Sequence, residues 1–284
     1  MQRSGVIIDP MSMCPSAVLA KGIIRMDRLL QSLSLMIMRP DDSIEFGRRD
    51  YGRSASLDAW AKDGLVDSGW EPEEKELLMD IPLRAADVLV LGAGGGWDSI
   101  PFARMGHRVT AVDFVPGMVE RAEDNARRRG LSLTGVVQEI SRVGFPSESF
   151  DRVFLSAAMY SSVPTRRRRV AMLERIRAVL RPQGYFVCWF SWKLGLSLNP
   201  KAEFLKKLIA GATLGYLGYE RGDQLWGNVE FQHFFSSRPE LEAEFAEGGF
   251  DIMKIRLPDG EIRGGAVLKK SDAGPSPRAG GRLR

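Results

Sequence analysis

Residues 87–100 read DVLVLGAGGGWDSI. Val88 to Leu91 run without a polar break, the pattern of a strand buried on both faces. Gly92, Gly94, Gly95 and Gly96 follow, where the backbone is free to take φ > 0 and to approach another group closely. From Trp97 to Met105 the apolar residues Ile100, Phe102, Ala103 and Met105 read as a helix. A strand, a glycine turn and a helix N-terminus make a site for a nucleotide-like ligand, towards which bare N–H groups and the helix dipole point. A tight turn that needs only close packing has the same pattern, and the loop alone does not separate the two readings.

The next segment does. HRVTAVDFVPGMVERAEDNARRRG (107–130) predicts a second strand over 108–112, ending in Asp113, 21 residues after Gly92. An acid at the end of the second strand, about 20 residues beyond a glycine loop, binds a ribose hydroxyl pair in this kind of βαβ unit. The plainer role for Asp113 is to cap the helix that begins near Pro116. Spacing and glycines together favour the ribose. A dinucleotide fingerprint, G-x-G-x-x-G, needs glycine at position 97, where Trp97 brings a large ring instead. The pattern present is G-x-G-x-G, on Gly92, Gly94 and Gly96.

That pattern resembles motif I of the class I S-adenosylmethionine-dependent methyltransferases. VVQEISRVGFPSESFDRVFLSAAMY (136–160) is similar to the family's third strand, adenine-binding turn and fourth strand. LERIRAVLRPQGYFVCWF (173–190) is similar to its helix, turn and fifth strand, and FFSSRPELEAEFAEGGFDIMKI (234–255) to its last helix and sixth strand. The likeness runs in order from about Trp70 to Lys269. It implies an α/β three-layer sandwich around a mostly parallel seven-stranded sheet with the last strand antiparallel. It also implies S-adenosyl-L-methionine as cofactor, held by Gly92, Gly94, Gly96, Asp113, Phe114, Glu139, Ile140 and Ser156. One departure concerns the first strand. Many members carry an acid two residues before the first glycine, and here that residue is Val90. Asp87 lies at the other end of the strand. Asp98, in the first helical turn, is left either to share the work on the cofactor's ammonium group or simply to complement the helix dipole.

Composition fits one main domain with additions. A chain of 284 residues, 44% apolar, can bury an α/β core of about 200 residues. Its two cysteines, Cys14 and Cys188, suggest neither disulfide nor zinc, which fits a reducing, cytoplasmic setting. No run is long and apolar enough to span a bilayer, and no ordered signal-peptide pattern opens the chain. Residues 269–284 hold Lys269, Lys270, Arg278, Arg282 and Arg284 against Asp272; five minus one is +4, the whole formal net charge. This basic tail, rich in Gly, Pro and Ser, is expected to be disordered. It makes no specific nucleic-acid partner necessary. TRRRRVAMLERIRAVL (165–180) sets four arginines at a helix start, the wrong end for the dipole.

Residues 1–55 read as an N-terminal extension before a methyltransferase domain over 56–268. Within it, Ile23, Ile24, Met26, Leu29, Leu30 and Leu33 have helical spacing, for packing on the core or for a lid or a homodimer surface. Residues 39–56, polar and rich in breakers, read as a loop whose FGRRDYG (46–52) is placed to close over a cofactor. Between the fifth strand and the last helix lie about fifty residues, too many for a structureless loop. Residues 193–235 are therefore a helical insertion over the carboxyl edge of the sheet. Its aromatics, Tyr216, Tyr219, Trp226, Phe231, Phe234 and Phe235, make either its own small core or an acceptor pocket.

Methyl transfer is an in-line displacement that needs alignment, plus a base if the acceptor proton leaves early. Of the two histidines, His107 lies far from the carboxyl edge and reads as structural. His233 is the candidate base, with an ordinary packing role as its alternative, and Tyr160 is the candidate for orienting the acceptor. Position 156–160 reads SAAMY, without the Asn/Asp-Pro-Pro-aromatic motif of base-amino methylation or the cysteine of base-carbon methylation. The expected function is methyl transfer to a small molecule, on oxygen or nitrogen. The alternative is a non-catalytic cofactor-binding scaffold.

Overall fold

The structure, a computed structural model, describes residues 15–79, 81–82, 84–193, 200–226, 230–258 and 263–273. Helices come first: α1 (Pro15–Ile37), α2 (Pro40–Tyr51), α3 (Ser54–Trp60), α4 (Asp63–Ser68) and α5 (Pro72–Leu78). Residues 40–51, expected as a loop, are helical. Pro40 starts α2, the Asp42 carboxylate accepts the Arg39 N–H at 3.1 Å, and Asp41, Asp42, Arg48 and Arg49 sit at the ends that the dipole favours. Polarity there marks a surface helix, not a loop.

The central sheet begins with β1 (Asp87–Leu91), α6 (Ser99–Arg104), β2 (Arg108–Asp113), α7 (Pro116–Arg128) and β3 (Thr134–Val137). It continues through β4 (Phe150–Leu155), α8 (Arg166–Val179) and β5 (Leu180–Ser191). The insertion supplies α9 (Pro200–Thr213) and the antiparallel pair β6 (Asp223–Trp226) and β7 (Glu230–His233). The chain closes with α10 (Arg238–Glu247), β8 (Phe250–Arg256) and β9 (Arg263–Lys270). Strand order is β3-β2-β1-β4-β5-β9-β8, with β9 antiparallel to both of its neighbours. This is the expected three-layer α/β architecture. The insertion is more than a helix, because β6 and β7 form a separate two-stranded sheet.

Period two divides β1 between the faces of the sheet. Leu89 and Leu91 pack with Leu173, Ile176, Leu241 and Phe245 on one side. Val88 and Val90 pack with Leu77, Phe102, Phe154 and Trp189 on the other. Val90 thus completes an apolar face. Lys269 and Lys270, assigned to the tail by composition, end β9; Lys270 Nζ donates to Leu180 O at 2.6 Å. Residues 274–284, like Cys14, lie outside the described residues.

Three of the four arginines at the start of α8 have acidic partners from elsewhere in the fold. Arg166 reaches Glu247 at 2.7 Å and Arg168 reaches Asp41 at 3.0 Å. Arg169 is fully buried. It makes two bonds to the equally buried Glu244 of α10, at 3.0 and 2.8 Å, and one to Glu220 of the insertion at 2.7 Å. Its guanidinium also lies 5.2 Å from the Phe235 ring centroid. One cation therefore joins α8, α10 and the insertion. Arg169→Met should lower unfolding stability by about 3–5 kcal/mol, because two carboxylates lose their buried counter-charge. Urea denaturation at neutral pH measures the loss.

Candidate active site

The carboxyl ends of β1, β2, β4 and β5 converge on one cavity with two adjoining lobes. The larger, of ≈ 370 Å³, is lined by Gly92, Gly94, Asp113, Met118, Trp60 and Arg263, with Ser191, Gln232 and Phe234 among others. The smaller is lined by Glu139, Ile140 and Val163, by Ser43, Ile44 and Gly47 of α2, and by Ser162 and Phe231. Tyr51, Gly92, Phe114, Met159 and Glu230 belong to both. Of the residues expected to bind cofactor, Gly92, Gly94, Asp113, Phe114, Glu139 and Ile140 therefore share one cavity.

The glycines divide by task. Gly92 and Gly94 have φ of +72° and +50°, and a Cβ at Gly94 would meet no atom within 4 Å. Above Gly92 lies the Met159 thioether. Gly95 and Gly96 serve packing instead. A Cβ on Gly95 would stand 2.5 Å from Trp60 O, and one on Gly96 would press on Ile100 and Ala122. Gly96 is not on the cavity wall. The expectation of bare N–H groups also needs correction. Gly92 N and Ala93 N donate to Val112 O, Gly96 N to Ala93 O, and Gly94 N to Asp113 Oδ2 at 3.0 Å. Gly92, Ala93 and Gly94 are tied to β2 through their own amides, so Gly92 and Gly94 offer space, not donors. Trp97 directs its indole N–H to Gly69 O at 2.6 Å, away from the strand–helix contact that a dinucleotide fold requires.

Asp113 accepts Val115 N–H as well, at 2.9 Å. It is buried, and that burial raises its carboxyl pKa against the pull of the backbone donors. The Phe114 N–H faces the same carboxylate, which keeps lone-pair capacity for a further donor. Glu139 is held by Ser141, whose N–H and hydroxyl donate to its two oxygens at 2.8 and 2.7 Å.

The larger surprise is the wall opposite in sequence. Glu230, on β7, accepts from Tyr51 Oη at 2.8 Å, Ser162 Oγ at 2.6 Å and Gln232 Nε2 at 2.7 Å. Burial, and then the Glu230 charge, raise the Tyr51 pKa far above the ordinary phenol value, so Tyr51 remains a donor. Glu230, Ser162, Gln232 and Arg263 carry no motif in the sequence. Tyr51 was legible only as part of FGRRDYG, and it reaches the cavity from a helix.

His233 and Tyr160 are not brought to the cavity wall. One step along β7 from Gln232 turns His233 to the other side. There its Nδ1 lies 2.7 Å from Asp223 Oδ1, and its ring packs edge-on to Phe235. Tyr160 is fully buried, donates to Glu244 Oε2 at 2.8 Å and packs between Phe235 and Phe245. Both belong to the Arg169 network. His107 is structural, accepting Ala86 N–H at 3.2 Å at the far end of the sheet. Of the insertion's aromatics, Phe231 and Phe234 line the cavity, while Tyr216 packs with Leu35 and Met36. The Trp226 side chain lies outside the described residues.

Beneath the glycine loop a polar group is buried. Asp98 is almost inaccessible, and its Oδ1 has no hydrogen-bond partner; the same holds for the Ser156 hydroxyl oxygen. Ser156 is off the cavity wall. Burial, reinforced by the nearby Glu74 carboxylate, pushes the Asp98 carboxyl up to about 7. The unfolded chain ionises this group first, so its contribution to stability falls as pH rises from about 4 to 7, at no more than about 1.4 kcal/mol per unit. Asp98→Asn should remove that share of the slope, read by comparing urea unfolding of the two proteins across this range.

Residues 88–184 match the family model of a methyltransferase domain. The ubiquinone biosynthesis O-methyltransferase of Azorhizobium caulinodans is 28% identical over 61% of this chain and 62% of its own length. That of Paramagnetospirillum magneticum is 33% identical over 48% of this chain and 51% of its own. The chain thus spans less than two thirds of these relatives. Among solved structures, an S-adenosylmethionine-dependent methyltransferase from Methanosarcina mazei superposes with a TM-score of 0.56 at 23% identity, covering 72% of this chain and 99% of that one. The 1,6-didemethyltoxoflavin-N1-methyltransferase of Burkholderia thailandensis gives 0.57 at 22%, covering 82% and 91%. With the glycine loop, Asp113 and the sheet order in place, the chain has the fold of the S-adenosylmethionine-dependent methyltransferases, and residues 88–184 carry the match to a methyltransferase domain.

Proposed function

We propose that this protein transfers a methyl group from S-adenosylmethionine to a hydroxyl of a small-molecule acceptor. The observation that carries the reading is Glu230, a carboxylate on the wall of the same cavity as Gly92, Asp113 and Phe114. The cofactor supplies an electrophilic methyl group on a sulfonium sulfur. Gly92 and Gly94 leave it room, and the spare lone pairs of Asp113 suit ribose hydroxyls. Phe114, Ile140 and Glu139 suit the adenine. Met159 must turn its flexible side chain off Gly92 to admit the ligand.

Tyr51, Ser162 and Gln232 hold Glu230 as an oriented acceptor of protons. It takes the hydroxyl proton as the new O–C bond forms and the C–S electron pair returns to sulfur. Phe231 and Phe234 offer an apolar surface to the acceptor. The relatives named for ubiquinone biosynthesis O-methylation support a hydroxyl acceptor. Under this reading His233 and Tyr160, the candidates from sequence, have positioning roles through the Arg169 network.

Calorimetry with S-adenosylhomocysteine should show micromolar binding that weakens by about 1.5–3 kcal/mol in Asp113→Ala. Absence of binding to natively folded protein would overturn the reading.

Once an acceptor is in hand, Glu230→Gln should lower kcat by about 10²–10⁴-fold while leaving S-adenosylhomocysteine affinity unchanged. Unchanged kcat would assign the chemistry to alignment alone, as an amine acceptor permits. Cofactor binding without turnover of any acceptor would favour the scaffold.

A further inference from the structure

The apolar stripe of α1 does not pack on the core. Among its described side chains only Leu35 and Met36, near its end, are buried. At about 100° per residue, Val18, Leu19, Ile23, Met26, Leu29 and Leu30 fall within an arc of about 140°. All six are exposed, Leu19 at 67% and Ile23 at 62%. α9 packs along α1 and adds Phe204, Leu205 and Leu208, with Phe204 exposed at 70%. Two neighbouring helices thus turn large apolar side chains to solvent, well beyond the scattered exposure usual on a monomer.

The same helices are basic. α1 carries Lys21, Arg25 and Arg28 against Asp27, and α9 carries Lys201, Lys206 and Lys207 against Glu203. Three minus one, taken twice, is +4, equal to the formal net charge of the whole chain. Among the described residues no helix is long and apolar enough to cross a membrane. A basic, strongly apolar helix pair of this kind has the character of an element that lies in a membrane interface.

We propose that the α1–α9 face docks on an anionic membrane surface, with its leucines and isoleucines among the acyl chains and its lysines among the headgroups. Charge selects this occupant. A two-fold pairing of the face with a second copy would set +4 against +4, whereas anionic lipid complements it. The face is one apolar layer from the cavity, because Phe231 both lines the cavity and packs with Leu35, Met36 and Tyr216. A membrane-dissolved acceptor therefore has a short apolar approach; this consequence rests on the methyl-transfer reading, whereas the docking does not.

Co-sedimentation of the full chain with vesicles is the test. It should pellet with phosphatidylcholine–phosphatidylglycerol vesicles, much less with phosphatidylcholine alone, and less as salt is raised. Ile23→Asp combined with Leu30→Asp should weaken partitioning at least about tenfold. Lys201→Glu combined with Lys207→Glu should do so about tenfold, and only on the anionic vesicles. Unfolding midpoints near wild type certify both variants. Failure of the wild-type chain to pellet with anionic vesicles at low salt would overturn the proposal. So would a dimer in light scattering that Ile23→Asp dissociates, since a second copy would then own the face. Binding of S-adenosylhomocysteine, measured in parallel, reports on the cofactor site separately.

Discussion

A single buried guanidinium holds the upper part of this molecule together. Arg169 leaves water entirely, at a desolvation cost that only close carboxylates can offset. Glu244 supplies two bonds and Glu220 a third. Because these groups come from α8, α10 and the insertion, the charge requirement fixes three segments far apart in sequence. Tyr160, His233 and Asp223 gather around the same centre. An apolar core would hold these segments with less regard to register; a bidentate ion pair accepts one geometry. On β7, Glu230 and Gln232 line the cavity, while His233 turns to Asp223 beside this centre.

The glycine loop illustrates two demands met in five residues. Gly92 and Gly94 keep the cavity floor free of side chains. Gly95 and Gly96 let α3 and α7 approach the turn, and Asn125 of α7 fastens it by donating to Gly95 O at 2.8 Å and Ala61 O at 3.2 Å. The amides close back on Val112 and Asp113. Such a loop differs from a phosphate cradle, whose amides must stay free. It suits a ligand that presents ribose hydroxyls and an uncharged ring. Asp113 sits at the junction, shaping the loop with one set of lone pairs and leaving the other for a ligand.

The cavity is closed from above by elements outside the minimal fold. α2 contributes Ser43, Ile44, Gly47 and Tyr51, and the insertion contributes Glu230 to Gln232. The Tyr51–Glu230 hydrogen bond links these two covers across 179 residues of sequence. The walls of the cavity thus have different origins: strand ends of the sheet on one side, peripheral elements on the other. Relatives that share the sheet can therefore differ in acceptor.

The amino-acid sequence by itself determined the sheet and the strand-end wall of the cavity. β1, β2 and α7 follow from local pattern, because an unbroken apolar run, glycines and an acid at fixed spacing act within about 25 residues of one another. Gly92, Gly94, Asp113 and Phe114 were legible for that reason. Tertiary structure alone decided the rest. The arginines of α8 look misplaced until Glu244, Glu220, Glu247 and Asp41 arrive from elsewhere. Residues 40–51 look like a loop because a helix on the surface needs few apolar positions. His233 reads as a base because no local pattern tells which residues of β7 face the cavity. Long-range ion pairs and strand register are properties of assembled segments, and no window of sequence contains both partners.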